Sequence, residues 1–404
     1  MFASSKSSQV VPATSDSNFP YVPLLLETSA ASSRSTTVTD SSNNAFSITK
    51  NSSTSTGWTS PYQTDGYWGN YFNGSSDYLS LTNSASLNPG TGNFTFECWV
   101  YFSSLTRGNI YDGANNGISV ALNASNQLSF SQSNVAFILN DTVTPNLNQW
   151  YHLAISRSGT TLSMFKNGTR IATATNSTNF VTSTANRIGW NGITAYFNGY
   201  ISNIRLIIGG TPIYDPTQTT ITVPTSPLTA ITNTALLTCQ SNRFIDNGTA
   251  NSGVGFPITV NGTPQVTSYW YPSGFTAPTA SPGAGYFNGS TDYLNYTFSS
   301  AVSWTNAAFT VEAWVYPLAS GNAIFSVSNS TDLTRGFTLY VLSSGLLQTD
   351  NRRDGSSIGN SNIAVKFNSW NHIAVTLSAA GGTLSYYVNG VAAGTSATGS
   401  FYNA

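Results

Sequence analysis

The chain has 404 residues, a net charge of −1 and only 7% charged residues, so its polar surface rests on Ser, Thr, Asn and Gly. Its 14 basic residues are scattered over the whole length and cannot make the electrostatic footprint that a nucleic acid requires. No apolar run approaches the roughly 20 residues that span a bilayer, and the opening Met1-Phe2-Ala3-Ser4 carries no charged and apolar leader, which excludes membrane insertion and a recognisable export signal from the expectations.

Hydrophobic residues still make up 40%, with 22 Phe, 21 Tyr and 9 Trp, which is enough for packed cores. Residues 1–20 are polar and turn-rich, with Pro12 and Pro20, and read as a flexible or attachment arm. From 21 onward short strands alternate with Gly, Asn and Ser clusters, and no amphipathic helix of useful length occurs. The fold class is therefore all-β.

The next feature along the chain is the first member of a repeat. Tyr71-Phe-Asn-Gly-Ser-Ser-Asp-Tyr-Leu79 returns as Tyr286-Phe-Asn-Gly-Ser-Thr-Asp-Tyr-Leu294, and Phe94-Thr-Phe-Glu-Cys-Trp-Val-Tyr101 returns as Phe309-Thr-Val-Glu-Ala-Trp-Val-Tyr316, both 215 positions apart. Two copies of one folded module follow, with function expected on a surface presented more than once. In the Phe94 strand, Phe94, Phe96, Cys98, Val100 and Phe102 fall on one face and Thr95, Glu97, Trp99 and Tyr101 on the other, so both faces carry aromatics and the strand is predicted to be central. Cys98 stands where the second copy has Ala313, which predicts a small buried residue, and with only Cys239 besides it the two thiols are expected free.

Trp150-Tyr-His-Leu-Ala154 returns as Trp370-Asn-His-Ile-Ala374, and Lys166-Asn-Gly168 as Val388-Asn-Gly390. Each Asn-Gly pair predicts a hairpin, because both residues accept positive φ at low cost. The first copy continues through Asn186-Arg-Ile-Gly-Trp190 to the strand at 196–207, whereas Ala404 corresponds to about residue 182. The second copy is thus expected to lack its closing strands, supplied by further chain or by a partner. Between the copies, 209–234 is Pro-rich and predicts an extended, semi-rigid linker. The expected domains are an arm at 1–20, a first module at 21–208, the linker at 209–234, and an incomplete second module at 235–404.

The succession of these motifs resembles the laminin-G-like branch of the concanavalin A-like jelly rolls, over about 70–208 and part of 285–404. The resemblance implies tandem antiparallel two-sheet β-sandwiches. The segment Pro224-Thr-Ser-Pro227 to Ala235-Leu-Leu-Thr-Cys239 and Asn247 is similar to inter-module segments of repeat proteins in marine tailed phages. That likeness implies a virion-surface protein, a tail fibre or similar appendage, with other virion proteins, copies of itself and a host-surface glycan as partners. The alternatives are a capsid or tail component making only protein contacts, and a secreted, extracellular bacterial adhesin or depolymerase accessory domain.

Catalysis is not expected. A retaining glycosidase needs two carboxyl groups about 5–5.5 Å apart, yet Glu97 and Glu312 have no acid two or four residues away. Each reads as a structural carboxylate. His152 and His372 occupy equivalent positions in separate copies and read as fixed sandwich residues. Since some laminin-G-like domains bind calcium through rim oxygens, Asp77 with Asp112 and Asp292 with Asp332 are the candidate ligands, although Asp77 and Asp292 also suit a turn cap. No cofactor is required. For a sugar, Trp190, Tyr196, Asn191 and Asn115 are the candidate rim, and Arg352 and Arg353 are candidates for acidic-glycan or protein contact within the charged run Asp350–Asp354.

Overall fold

Short runs alternating apolar and polar residues, punctuated by Asn and Gly at positive φ, build strands throughout the computed structural model. It describes residues 22–28, 38–51, 55–57, 65–268, 272, 275, 284–297, 308–328, 336–351, 357–378 and 382–397. In chain order the strands are β1 (Leu26–Thr28), β2 (Val38–Asp40), β3 (Thr49–Asn51) and β4 (Ser55–Gly57). Then come β5 (Trp68–Asn73), β6 (Tyr78–Thr82), β7 (Phe94–Phe102), β8 (Asn109–Gly113), β9 (Ile118–Leu122), β10 (Leu128–Gln132) and β11 (Ala136–Asn140). They are followed by β12 (Trp150–Ser158), β13 (Thr161–Lys166), β14 (Thr169–Thr175), β15 (Ala185–Ile188), β16 (Asn198–Ile208), β17 (Thr234–Thr238), β18 (Ile258–Asn261) and β19 (Gln265–Ser268). The last group is β20 (Ala284–Tyr286), β21 (Tyr293–Asn295), β22 (Phe309–Val315), β23 (Ala323–Ser328), β24 (Gly336–Val341), β25 (Leu346–Asn351), β26 (Ser357–Ala364), β27 (Asn371–Leu377), β28 (Thr383–Val388) and β29 (Val391–Ala397).

The chain divides into two units, one spanning 64–278 and the other built from the described residues before 64 and after 278. The 64–278 unit is a two-sheet antiparallel jelly roll. One sheet runs β11-β10-β9-β8-β15-β6-β18 and the other β14-β13-β12-β7-β16-β5-β19, with β17 added alongside the second half of β16. Phe94, Phe96 and Phe102 of β7 meet Tyr111, Phe130, Phe180 and Phe197, all buried. β7 lies between β12 and β16, the central position that its two aromatic faces predict. Cys98 and Cys239 are buried free thiols, and burial pushes both upward, Cys239 to about 12.

The repeated motifs are turn locks. In the first copy Asn73 Oδ1 accepts the backbone N–H groups of Ser75, Ser76 and Asp77, while Asp77 Oδ2 accepts that of Asn73. Asn288 and Asp292 repeat this arrangement. Asn167 and Asn389 turn the predicted hairpins at φ 48° and 54°. Each also accepts, through its side-chain oxygen, the backbone N–H of the histidine two after the repeated Trp, His152 or His372.

The expected domain boundaries need correction. β17, β18 and β19 lie beyond 208, yet they complete the first roll, β18 against β6 and β19 against β5. Residues 209–233 are not a spacer between modules but a strap across the outer face of the β12–β13 side of that roll. Backbone carbonyls of the strap accept side-chain donors of the sheet: Ser156 to Tyr214 O (2.6 Å), Ser163 to Pro216 O (2.6 Å) and Arg205 to Thr229 O (2.9 Å). Proline suits this role because a strap held through its carbonyls needs few N–H donors of its own.

In the other unit, β22-β27-β28-β29 and β23-β24-β25-β26 repeat two four-stranded halves of the first roll around a core that includes Val311, Phe337, Leu339, Ile373 and Tyr386. β20 and β21 are the counterparts of β5 and β6. Among the described residues β20 pairs only with β4 and β21 only with β3, where β5 and β6 each have two neighbours. Phe287 is accordingly 45% exposed where its counterpart Phe72 is 0%.

Candidate functional site

The outward face of the β8–β10 strands carries the polar half of a strict alternation. Ile118, Val120, Leu122, Leu128 and Phe130 point into the core. Ser119 and Ala121 on β9, with Ser131 on β10, point outward and are too small to fill the surface. A groove of about 190 Å³ results, walled by Arg107, Asn109 and Asn191 on one side and by Gln132, Asn134 and Phe137 on the other. The pairing of β8 with β9 shifts register between Asn109 and Tyr111, and this bulge brings Asn109 and Asp112 onto one face. Tyr111 turns inward, donating to Asn186 Oδ1 at 2.7 Å.

Asp112 is the unusual group of the groove. It is 2% exposed; Ser133 Oγ donates to its Oδ1 at 2.7 Å, while Oδ2 has no hydrogen-bond donor in the structure. Arg187 Nη1 stands 3.7 Å from Oδ2, beyond hydrogen-bond range. Burial raises the Asp112 pKa, partly offset by the Ser133 hydrogen bond, the Arg187 charge and the neighbouring Ser119 hydroxyl. Gly117 makes the adjoining turn possible, since a Cβ there would stand 2.2 Å from Gly113 O.

The sugar-rim candidates are only partly assembled by the fold. Asn191 lines the groove, but its Oδ1 already accepts N–H groups from Ile193, Thr194 and Ala195, leaving its amide nitrogen as the usable group. Trp190 stacks on Tyr196 at 5.4 Å and 10°, and touches Tyr78 at 4.5 Å. The Arg187 guanidinium lies 5.3 Å from the Trp190 ring. The stack therefore holds Arg187 beside Asp112, and the exposed ring at the groove is Phe137 at 53%. Asn115 stands behind the groove wall, accepting from Asn134 at 3.2 Å.

Among the described residues, which include the calcium candidates Asp77, Asp112 and Asp292, no group of three or more His, Cys, Asp or Glu suited to a metal occurs. Asp77 accepts from Asn73 N and Thr263 N, and Asp292 from Asn288 N. Asp332, Arg352 and Arg353 lie outside the described residues.

Glu97 sits on the opposite sheet and is fully buried. His152 Nε2 is 3.2 Å from its Oε2, Tyr214 OH donates to the same oxygen at 2.8 Å, and Arg205 donates twice to Oε1 at 2.8 and 2.6 Å. Burial pushes the Glu97 pKa up, and the His152 and Arg205 interactions outweigh it, so the group is held below the usual range. A carboxylate with every oxygen engaged and no exposed surface cannot meet a substrate. In the second copy the equivalent pair, His372 and Glu312, is 3.4 Å apart and about one third exposed.

The groove chemistry is not repeated. Ser326 pairs with Thr338 as Asp112 pairs with Ser119, and Ala323 pairs with Tyr340 as Asn109 pairs with Ala121. The second copy thus has a hydroxyl in place of the acid and a Tyr ring in place of Ala121. At these positions the two copies therefore present different surfaces.

Residues 73–207 and 288–403, more than half the chain, match a family of laminin G type described as the concanavalin A-like lectin/glucanases superfamily. The chain belongs to this family. No curated protein matches it. Among solved structures, a Bacteroides ovatus protein is 16% identical over 52% of this chain, with a TM-score of 0.38; the chain spans only 62% of that protein. Domain 4 of the extracellular arabinanase AbnA from Geobacillus stearothermophilus, solved with arabinotriose, is 18% identical over 45% of this chain and 89% of its own, with a TM-score of 0.30. Domains LG4-5 of the mouse laminin alpha1 chain are 9% identical, covering 85% of this chain and 80% of their own, with a TM-score of 0.24.

Proposed function

We propose that the protein is a non-enzymatic glycan-binding adhesin whose site is the groove over β8–β10. The observation that carries this reading is the groove's lining as a whole, in which the nearly buried Asp112 carboxylate, with no donor on Oδ2, lies among the amides of Asn109, Gln132, Asn134 and Asn191, the Arg107 guanidinium and the exposed Phe137 ring. Sugars are held by such means, with hydroxyls donating to a carboxylate and accepting from Asn, Gln and Arg, and a ring face laid on an aromatic. Phe137 is the ring placed for this. Glu97 and Glu312 are each engaged with a histidine, and neither has a second carboxylate in its hydrogen-bonded cluster, which supports binding without hydrolysis.

The setting we propose is the surface of a phage virion, as part of a tail fibre or similar appendage attaching to host glycans. It is supported by the low-charge Ser/Thr/Asn composition and by the likeness of 224–247 to phage inter-module segments. Mass spectrometry of purified particles tests that setting, and particles without the protein would overturn it.

Binding is tested with the full chain on a glycan array and by calorimetry, with calcium and with chelator. Saturable binding is expected, weakened at least tenfold by Asp112→Asn and by Phe137→Ala. Chelator sensitivity would add calcium to the site. No binding by verified folded protein would sink the adhesin reading.

A further inference from the structure

The segment that completes the first roll occurs twice in the chain. Asp246 accepts backbone N–H groups from Leu237, Gly248 and Phe256 at 2.7–2.8 Å, folding β17 back toward β18. Asp40 accepts from Leu25, Ser42 and Phe46 at 2.8–2.9 Å in the same pattern. The carboxylate is in each case the hub of one turn-and-strand element, spanning roughly 22–57 in one instance and 234–268 in the other.

The two elements also pair alike. Val260 faces Leu79 and Gln265 faces Tyr71 in the first roll. Lys50 faces Leu294 and Ser55 faces Tyr286, and these four are the repeat counterparts of the first four. Phe46, the counterpart of Phe256, packs its ring on Tyr296 at 6.3 Å. A register shared strand for strand makes the two elements interchangeable as closing pieces.

What differs is the order along the chain. The 234–268 element follows the roll it closes, whereas the 22–57 element precedes its roll by the whole length of the other unit. Main-chain pairing with β20 and β21 does not require the element to come from the same chain, and the whole other unit separates it from those partners. We propose that residues 22–57 of one copy close the second jelly roll of another, so that copies join head to tail by strand donation. Main-chain pairing of β3 with β21 and of β4 with β20 supplies affinity, and Phe46 against Tyr296 supplies register. The two surfaces differ, so the junction is heterologous and propagates rather than stopping at a dimer.

The test uses two full-length populations with different tags, one carrying Thr49→Cys and the other Asn295→Cys, exposed partners in the β3–β21 register. They are mixed in denaturant, refolded together and oxidised gently; the native thiols are buried. A disulfide-linked species carrying both tags is expected, at least fivefold more abundant than with Asn43→Cys in place of Thr49→Cys, Asn43 being an exposed turn residue outside the pairing. The double variant Thr49→Cys/Asn295→Cys should give a ladder of linked chains that lengthens with concentration, and sedimentation of the unmodified chain should show mass rising likewise. A double variant that closes only on itself at every concentration, with no doubly tagged product from the mixture, would overturn the proposal.

Discussion

Asp112, the acid of the proposed binding groove, strains the fold that carries it. Its buried charge is offset only in part by Ser133, Ser119 and a distant Arg187, and its pKa is raised. An acid whose pKa is raised on folding loses stabilisation as pH climbs from its unfolded value through its folded one. Asp112→Asn is therefore expected to raise the melting temperature at pH 7, with the gain shrinking toward pH 4 as the native carboxyl protonates. Calorimetry at the two pH values checks this; a lower melting temperature at both would contradict it. Arg157 is the opposite case, a buried cation whose guanidinium donates to the carbonyls of Gly90, Gly92 and Thr178 and lies between Phe94 and Phe180. Burial alone lowers its pKa to about 10. Arg157→Ala takes this donor from the Gly92 and Thr178 carbonyls, Gly90 O keeping the Phe180 N–H, and is expected to cost about 1–3 kcal/mol for each carbonyl left unpaired in chemical denaturation.

Among elements, the 209–233 strap decides what the surrounding sheet can do. It covers Glu97 through Tyr214, turning a potentially reactive carboxylate into a fastening point. Tyr214→Phe should lower the stability of that roll by about 2 kcal/mol, the usual worth of a hydrogen bond to a charged group. In the second copy the Glu312–His372 pair is open to water. The hydrogen bond from His372 lowers the Glu312 pKa, so its contribution is present above the unfolded value of 4.5 and fades as pH falls below it. Glu312→Gln should flatten the acid limb of unfolding there, by a small amount because the pair is solvated. Acid titration followed by fluorescence measures it.

For the whole molecule, strand alternation made the all-β class legible in the sequence, and the resemblance carried by the repeated motifs implied the jelly roll. The partition of the chain was not legible. Which roll β18 and β19 pair with is not written locally, because pairing across roughly 180 positions or more leaves no local signature. The groove was half visible. Asp112 and Asn191 were among the candidates, for a metal and a sugar, yet the bulge that turns Asn109 beside Asp112 depends on register. Trp190 and Tyr196 were singled out for their ring faces, and the fold lays those faces against each other. The second copy has Ser326 at the position of Asp112, so in the proposed adhesin a multivalent display of the groove would come from several chains joined together.

The pairing of β5 with β19 also sets how the first roll answers a pull. The chain enters at Trp68 and leaves at Ser268, which face each other at one end of the same antiparallel ladder. Tension applied along the chain loads those hydrogen bonds one pair at a time, as in a zipper, rather than all at once in shear. The roll is thus a mechanical fuse. Under load that edge is expected to open first, and full extension of the chain between the two residues releases up to roughly 700 Å.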